Sequence, residues 1–269
     1  MGSVGEGKVD GDSLIAFDTS QLSHWYGSVF WPLTRIMALF VWAPVLSHKA
    51  IPMRAKVGMA LALTLAIAPV VSSPPLTGLL EARGFVQLAS NILVGLALGF
   101  AVRIVFVGIE LAGQLIGLQI GLGFASYFNP DTNESENVIS NFMSILVLLM
   151  FLAIDGHLIL LSAIADTFRV FPVGAPGTVP IEPLTLVRSG SDLFAIALTI
   201  CLPILGVMLL VNVVLGVMAR IAPQLNLFAV GFPLTVLAGL AALTLFLPTL
   251  EAPIRAVLQR SLAALPGAG

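Results

Sequence analysis

The sequence predicts an all-α membrane protein in which about six hydrophobic helices are arranged as hairpins. Composition is the first reason, because hydrophobic residues make up 58% of the chain and charged residues only 10%. Soluble domains carry about a quarter charged residues, so this chain cannot cover a surface that faces water. The second reason is that the apolar residues are gathered into long blocks. A net charge of -2 and the lack of a basic run argue against a nucleic-acid partner.

Three regions follow one another along the chain. Residues 1–24 are polar, with Glu6, Asp10, Asp12 and Asp18 against a single Lys8, and we expect them to be disordered. Residues 25–250 form the predicted membrane domain, and residues 251–269 form a C-terminal tail. The apolar blocks of the domain are 25–47, 53–72, 85–123, 138–165, 192–218 and 227–248.

Two of these blocks do not have the length of a simple transmembrane helix, which needs about 20 apolar residues. Block 53–72 is too short, since its charge-free apolar sequence runs only from Val57 to Val71. Block 85–123 would cover roughly two bilayer thicknesses, so it forms either a tight hairpin or a bent helix that leaves the membrane. Such lengths favour a subunit that is buried in a larger complex.

Basic residues in the links predict the orientation of the chain. The link 47–56 contains Lys49, Arg54 and Lys56 without an acid, so we expect it to face the cytoplasm. The acidic N-terminus then lies outside, and six crossings return the C-terminus to that side. On this count Arg220, which follows the fifth block, also faces the cytoplasm.

Ionisable residues within the apolar blocks are the first candidates for chemistry, because a charge in the membrane is costly without a partner. Arg103 and Glu110 are seven residues apart and share one helical face, with Gln114 one turn further along. They form either a charge relay for coupled transport or a buried ion pair that fixes packing. With no third titratable partner, the sequence favours the ion pair.

A second polar group lies in the fourth apolar block. Asp155 and His157 point about 200° apart on a continuous helix, so they cannot ligate one metal or form an acid–base pair unless Gly156 unwinds the helix. Asp155, Ser162 and Asp166 fall close to one face, which fits a polar seam between assembled helices better than a proton-coupled carrier. No catalytic, metal-binding or cofactor-binding motif stands out, so nothing argues for an enzyme.

Two motifs of small residues predict close contacts between helices. Gly95 and Gly99 form one GxxxG motif, and Gly113, Gly117 and Gly121 form a double one. Glycine at this spacing lets two backbones approach closely, so both motifs are expected to pack on neighbouring helices.

The last two apolar blocks predict a helical hairpin, residues 192–248. Pro223 with Gln224 and Asn226 marks its turn, because the residue before a proline resists continuing a helix. Pro233 is expected to bend the second arm.

The stretch GLGFASYFNPDTNESENV, residues 121–138, places aromatic rings and a charged turn between two apolar blocks. Phe124, Tyr127 and Phe128 lie close together ahead of an asparagine–proline–aspartate turn. From the residues alone, the stretch is either an obstruction in a channel or an ordinary connection whose aromatics lie at a lipid interface.

Three stretches, in this order along the chain, resemble a known family. They are IELAGQLIGLQIGLGFASYFNP, FLAIDGHLILLSAIADTFRVFPVG and ARIAPQLNLFAVGFPL, which together span residues 109–234. They are similar to the FliR family, a membrane component of the bacterial flagellar export gate whose injectisome counterpart is SctT. Leu158 follows His157 where relatives often carry a second histidine, and Thr167 stands where serine is common.

The resemblance implies a fold and a set of partners. The first part of the chain is expected to be FliP-like and the final hairpin FliQ-like, in a helical, cone-shaped assembly with FliP and FliQ. The assembly belongs to the flagellar basal body in the bacterial inner membrane, with much of it raised to the periplasmic side, and unfolded rod, hook and filament proteins pass through its centre. At the cytoplasmic side, the residues expected to contact FlhB are Arg220, Pro223, Gln224 and Asn226.

The resemblance also implies that the aromatic stretch is a pore plug, at about residues 121–137. The residues of this plug are Phe124, Tyr127, Phe128, Asn129 and Pro130. Large rings can obstruct a channel, and the neighbouring glycines and turn let such a loop move aside. An injectisome subunit of the SctT type is the alternative function. A proton-coupled small-molecule carrier is less favoured, because the chain shows no paired halves. Membrane lipid is the remaining expected contact, and no cofactor is expected.

Overall fold

The computed structural model describes residues 19–47, 51–69, 82–122, 137–173, 183–222 and 227–263. Within these ranges the chain forms seven α-helices and no strand, which confirms the predicted all-α fold. The helices are α1 (Thr19–Trp42), α2 (Met53–Ile67), α3 (Ala82–Ile120), α4 (Val138–Ala153), α5 (Gly156–Val170), α6 (Pro183–Ile221) and α7 (Leu227–Ala263). α1 therefore begins inside the segment that the sequence marks as polar.

α3 is the central helix, and it contains most of the long third apolar block, 85–123. It is one continuous helix of 39 residues, so the tight hairpin, one of the two alternatives for this block, is wrong. At 1.5 Å per residue it is about 58 Å long. No proline interrupts it, and its apolar side chains are buried along its length, among them Val102, Ile109 and Ile116. Helices α1, α4, α6 and α7 all pack against it.

α2 is short, as its sequence predicts. Its 15 residues give about 22 Å of helix, less than the roughly 30 Å of a hydrocarbon core. It packs on α1, and its buried residues are Ala60 and Thr64. Most of its surface is therefore left uncovered by the rest of the described chain.

The fourth apolar block forms two helices where its pattern suggests one. α4 and α5 are bent by 68° at a break that contains Asp155. Asp155 has φ 56°, a left-handed conformation through which an α-helix cannot continue. A Cβ on the next residue, Gly156, would lie only 2.5 Å from the ring of Phe151. Glycine at this position lets α5 leave α4 at the observed angle, which the apolar pattern does not reveal.

α6 and α7 pack against each other and extend beyond the predicted hairpin 192–248. α7 runs through Pro233 and continues into the predicted C-terminal tail. There Ile254, Leu258 and Leu262 recur every four residues and are buried. Most of the predicted tail is therefore packed helix, because its apolar residues form a helical stripe.

Three helices in the described ranges are long and apolar enough to cross a membrane: α3, α6 from Gly190 and α7 from Val230. The bent pair α4–α5 makes a fourth if it counts as one span. α1 and α2, which correspond to the first two of the six crossings expected from the sequence, are not among these candidates of the described ranges.

α6 and α7 turn much of their apolar surface outward. In their most apolar windows only 28% and 22% of residues are buried, against 56% for α3. Leu209, Leu210 and Val213 of α6 are each more than half exposed. Surfaces of this kind suit contact with lipid or with other protein subunits.

Candidate functional site

The aromatic stretch between α3 and α4 is the first candidate site. Its predicted plug residues lie outside the described residues; they are Phe124, Tyr127, Phe128, Asn129 and Pro130. The structure does describe the two anchors of the stretch. These anchors are the end of α3 with Gly121 and Leu122, and the start of α4 with Asn137.

The end of α3 is closed by a turn that requires glycine. Gly121 has φ +93°, in the left-handed region. Its amide donates to the carbonyl of Leu118 over 3.1 Å, and the amide of Leu122 donates to the carbonyl of Gly117 over 3.0 Å. This is a Schellman motif, which satisfies the last carbonyls of a helix as the chain leaves it.

The start of α4 is tied to the last turns of α3 through Asn137. Asn137 Oδ1 accepts a hydrogen bond from the amide of Ile139 over 3.0 Å and so caps α4. Its Nδ2 donates to the carbonyl of Gln114 over 3.3 Å. The side chain lies against Gly117, where an added Cβ would overlap it. The two ends of the stretch 123–136 are therefore fixed beside each other.

The other predicted packing glycines meet further helices of the same chain. Gly95 and Gly99 lie against α1, Gly113 against α4 and Gly121 against α7. A Cβ on Gly113 would come within 2.7 Å of the Cα of Ser140. These glycines therefore shape the chain's own helix packing, in the way that small residues do between membrane helices.

Arg103 and Glu110 form an ion pair with 3.5 Å between Nη2 and Oε2. Their side chains are 32% and 23% exposed, so the pair is not buried within this chain, in contrast to the expectation. Ser144 of α4 donates to Glu110 Oε1 over 3.1 Å, which places the pair at the edge of the α3–α4 contact. Gln114 is exposed. This is the geometry of a packing contact between two helices, and the described residues add no third ionisable group to it.

The polar residues of the fourth block do not join into one network in the described part of the chain. Asp155 is exposed, and its side chain does not cap α5. Ser162 donates to the carbonyl of Ile159, and the partly exposed Asp166 pairs with Arg169 at 3.3 Å. The expected stripe assumed one continuous helix, and the break at Asp155 divides it.

His157 is partly buried, and its Nδ1 is a buried atom without a hydrogen-bond partner among the described residues. The residue lines a cavity bounded by α1, α2 and the α4–α5 break. Over the same described ranges, no three His, Cys, Asp or Glu side chains are grouped so that they could hold a metal ion.

A buried arginine that the sequence analysis did not select joins three helices. Arg35 of α1 is 2% exposed. Its Nε donates to Asn91 Oδ1 over 2.7 Å, its Nη1 to Thr167 Oγ1 over 3.2 Å, and its Nη2 to the carbonyl of Phe171 over 3.0 Å. The guanidinium also lies over the ring of Phe168, 3.9 Å from its centroid.

Asn91 of α3 completes this arrangement. Its Nδ2 donates to the carbonyl of Trp31 over 2.7 Å and to Thr34 Oγ1 over 2.6 Å. We call Arg35, Asn91 and Thr167 the arginine cluster. The hydrogen-bond acceptors around the positive charge of Arg35 are neutral, so the stability of the cluster depends on each hydrogen bond that Arg35 makes. The available signal was a lone arginine inside an apolar block, because such a charge must find partners.

Comparison with known proteins decides the family. A sequence profile for "Bacterial export proteins, family 1" matches residues 26–261. The chain is 39% identical to the flagellar biosynthetic protein FliR of Pectobacterium carotovorum subsp. carotovorum over 237 residues, which cover 87% of this chain and 90% of that protein. The chain belongs to the FliR family. FliR of Escherichia coli strain K12 is 37% identical with the same coverage. FliR of Bacillus subtilis strain 168 is 29% identical over 227 residues, 83% of this chain and 87% of that protein.

Membership of the FliR family confirms the resemblance seen in the three stretches and makes the chain a component of the flagellar export apparatus. The matched region runs from α1 into the last turn of α7, so the similarity to the family extends well beyond the three stretches. The candidate spans agree with a membrane protein.

Proposed function

We propose that this FliR-family chain is a structural and gating subunit of the flagellar protein export channel, and that it forms the pore with FliP and FliQ. The observation that carries the proposal is the alignment of 87% of the chain with 90% of a protein named flagellar biosynthetic protein FliR. In this proposal the channel belongs to the flagellar basal body in the bacterial inner membrane, and unfolded rod, hook and filament proteins pass through it.

The helix lengths support an assembly raised partly to the periplasmic side. α3 is about 58 Å long, and a hydrocarbon core is about 30 Å thick, so a substantial part of α3 must lie outside the core unless the helix is strongly tilted. The outward apolar faces of α6 and α7 supply the surfaces that FliP and FliQ would cover.

The gating role is assigned to the stretch between α3 and α4. Its ends are fixed beside each other by the Schellman motif at Gly121 and by Asn137. A loop anchored in this way can present Phe124, Tyr127 and Phe128 to the pore. Their rings would close the pore without forming bonds that a passing polypeptide must break.

FlhB is the partner proposed at the cytoplasmic end of α6. Arg220 is exposed in the last turn of this helix. The other proposed contact residues lie outside the described residues; they are Pro223, Gln224 and Asn226.

Neither alternative function is favoured by these observations. A proton-coupled carrier would need Glu110, Asp155 and Asp166 to act together, but Glu110 pairs with Arg103 and Asp166 with Arg169. The names of the relatives favour a flagellar system over an injectisome.

The role in export is tested by deleting the gene from its host and restoring it on a plasmid. We expect the deletion to abolish filaments, motility and secreted flagellin together, and the plasmid to restore all three. Secretion of flagellin by the deletion strain would contradict the proposal.

The plug is tested by replacing Phe124, Tyr127 and Phe128 with alanine together. A plug loop would contribute little to helix packing, so we expect the gate to assemble at normal yield and the ion conductance of membranes that contain it to rise. Phe85→Ala, which changes an exposed phenylalanine on α3, is the control. Equal conductance in the triple variant and the unmodified protein would contradict the plug and indicate that the stretch is an ordinary connection between helices.

A further inference from the structure

A cavity of about 350 Å³ lies between the end of α1, the middle of α2 and the α4–α5 break. Phe40, Leu46, Leu63, Phe151 and Leu160 are among its lining residues. Every lining residue except His157 is apolar. The export function that we propose makes no use of this cavity.

The size and chemistry of the cavity indicate an apolar, elongated ligand. Its volume falls in the range of about 300–1,000 Å³ that is typical of small-molecule pockets. It is also more than twice the roughly 150 Å³ of an apolar cavity that stays dry and binds benzene. For a chain with transmembrane helices, the acyl chains of the bilayer are the most abundant apolar molecules within reach.

His157 is the one polar residue among those that line this cavity. Its Nδ1 is buried and lacks a hydrogen-bond partner in the described part of the chain. Such atoms are rare, and a ligand that supplies a partner would be favoured over a pure hydrocarbon. The ester carbonyl of a glycerolipid, which lies next to its acyl chain, can accept a hydrogen bond from an N–H at Nδ1.

Positive charge on α2 indicates the kind of headgroup. Lys56 precedes Met59 by three residues and Leu63 by seven, so it shares the helical face that lines the cavity. Arg54 is exposed in the same first turn. The ion pairs of the described ranges include neither side chain. Basic residues at such a position attract anionic lipid headgroups.

We propose that this cavity binds one anionic phospholipid of the membrane. One acyl chain fills the apolar space, its ester carbonyl accepts a hydrogen bond from His157, and its phosphate lies near Lys56 and Arg54. The site would hold α2, which among the described helices packs mainly on α1, to the α4–α5 break.

The first test measures lipid binding to the full-length chain, purified in a mild detergent, by native mass spectrometry. Phosphatidylglycerol and phosphatidylcholine with identical acyl chains are the two probes. We expect saturable and tighter binding of phosphatidylglycerol. Lys56→Gln should weaken the binding of phosphatidylglycerol about fivefold and leave that of phosphatidylcholine unchanged. Equal binding of both lipids by the unmodified chain, or no effect of Lys56→Gln, would overturn the proposal.

The second test fills the cavity. Ala62 lines it from α2, and Ala62→Phe should abolish saturable binding of both lipids. Ala66→Phe makes the same change on the same helix at a position that does not line the cavity, and it should bind as the unmodified chain does. Both variants are compared with the unmodified chain by thermal melting without added lipid. If Ala62→Phe does not fold, the surface change Lys56→Gln decides the question alone.

A third arm separates a lipid site from a phosphate site. Excess glycerol 3-phosphate has the anionic group without an acyl chain, so it should not displace phosphatidylglycerol. Displacement by this compound, or lipid binding by Ala62→Phe equal to that by Ala66→Phe, would show that the cavity is not the binding site.

Discussion

Removing Arg35 and Asn91 of the arginine cluster together should be much less damaging than the sum of the two single changes. Asn91→Leu deletes the acceptor of Arg35 Nε, a hydrogen bond of 2.7 Å, and leaves the guanidinium in an interior where it is 2% exposed. The carbonyl of Trp31 and the hydroxyl of Thr34 lose the Nδ2 donor in the same step. Arg35→Met leaves Asn91, Thr167 and the carbonyl of Phe171 without their donor.

The magnitude follows from the buried charge. Losing one hydrogen bond to a buried charged group costs about 1.5–3 kcal/mol, because the guanidinium keeps only its other partners, Thr167 and the carbonyl of Phe171. For a chain of this size 1 kcal/mol corresponds to roughly 2–4 °C, so Asn91→Leu should lower the melting temperature by about 5–10 °C. Replacing both polar partners with apolar groups of similar shape is often nearly neutral. The double change Arg35→Met with Asn91→Leu should therefore melt well above the value expected from adding the two single changes.

The assay is thermal melting of the full-length chain in one mild detergent, for the unmodified protein, both single variants and the double variant. Arg169→Met is the control, because it removes an exposed ion pair with Asp166 at 3.3 Å, which is worth less than about 1 kcal/mol. Strict additivity of the two single changes would show that Arg35 and Asn91 are not energetically coupled, and the reasoning about this cluster would be refuted.

Three further predictions concern the helix contacts, the α4–α5 break and the cytoplasmic end of α6. Gly117→Leu should displace Asn137 and prevent co-purification with FliP and FliQ. The control Gly58→Leu should co-purify normally, because nothing lies within 4 Å of a Cβ at that position, and normal yield of the Gly117 variant would contradict the prediction. Asp155→Val should melt several degrees below Asp155→Gly, because φ 56° strains a β-branched residue; equal melting would contradict it. A cysteine at Gln224 should crosslink to FlhB in membranes, and labelling from the periplasmic side alone would overturn both contact and topology.

The sequence predicted the fold class and the short α2 because both depend on composition and on the length of apolar runs. It raised the possibility that Gly156 unwinds the helix but could not predict the break at Asp155, since the apolar pattern continues through it and the close approach of Phe151 to Gly156 depends on the fold. Arg35 was overlooked because its partners lie 56 and 132 residues away in Asn91 and Thr167, and a single sequence does not reveal such distant pairing. The glycine motifs were visible from spacing alone, but the helix that each one meets was not.

The glycines along α3 also limit where movement can occur in the proposed gate. From one end of this helix to the other, Gly95 lies against α1, Gly108 against α6, Gly113 against α4 and Gly121 against α7. Backbones that approach this closely leave little free volume, so a shift of α3 would disturb four contacts at once. A gate built on this chain should therefore open without moving α3. The proposed plug is consistent with this condition, because its two anchors, the Schellman motif at Gly121 and the α4 cap at Asn137, lie on helices that need not move when the proposed gate opens.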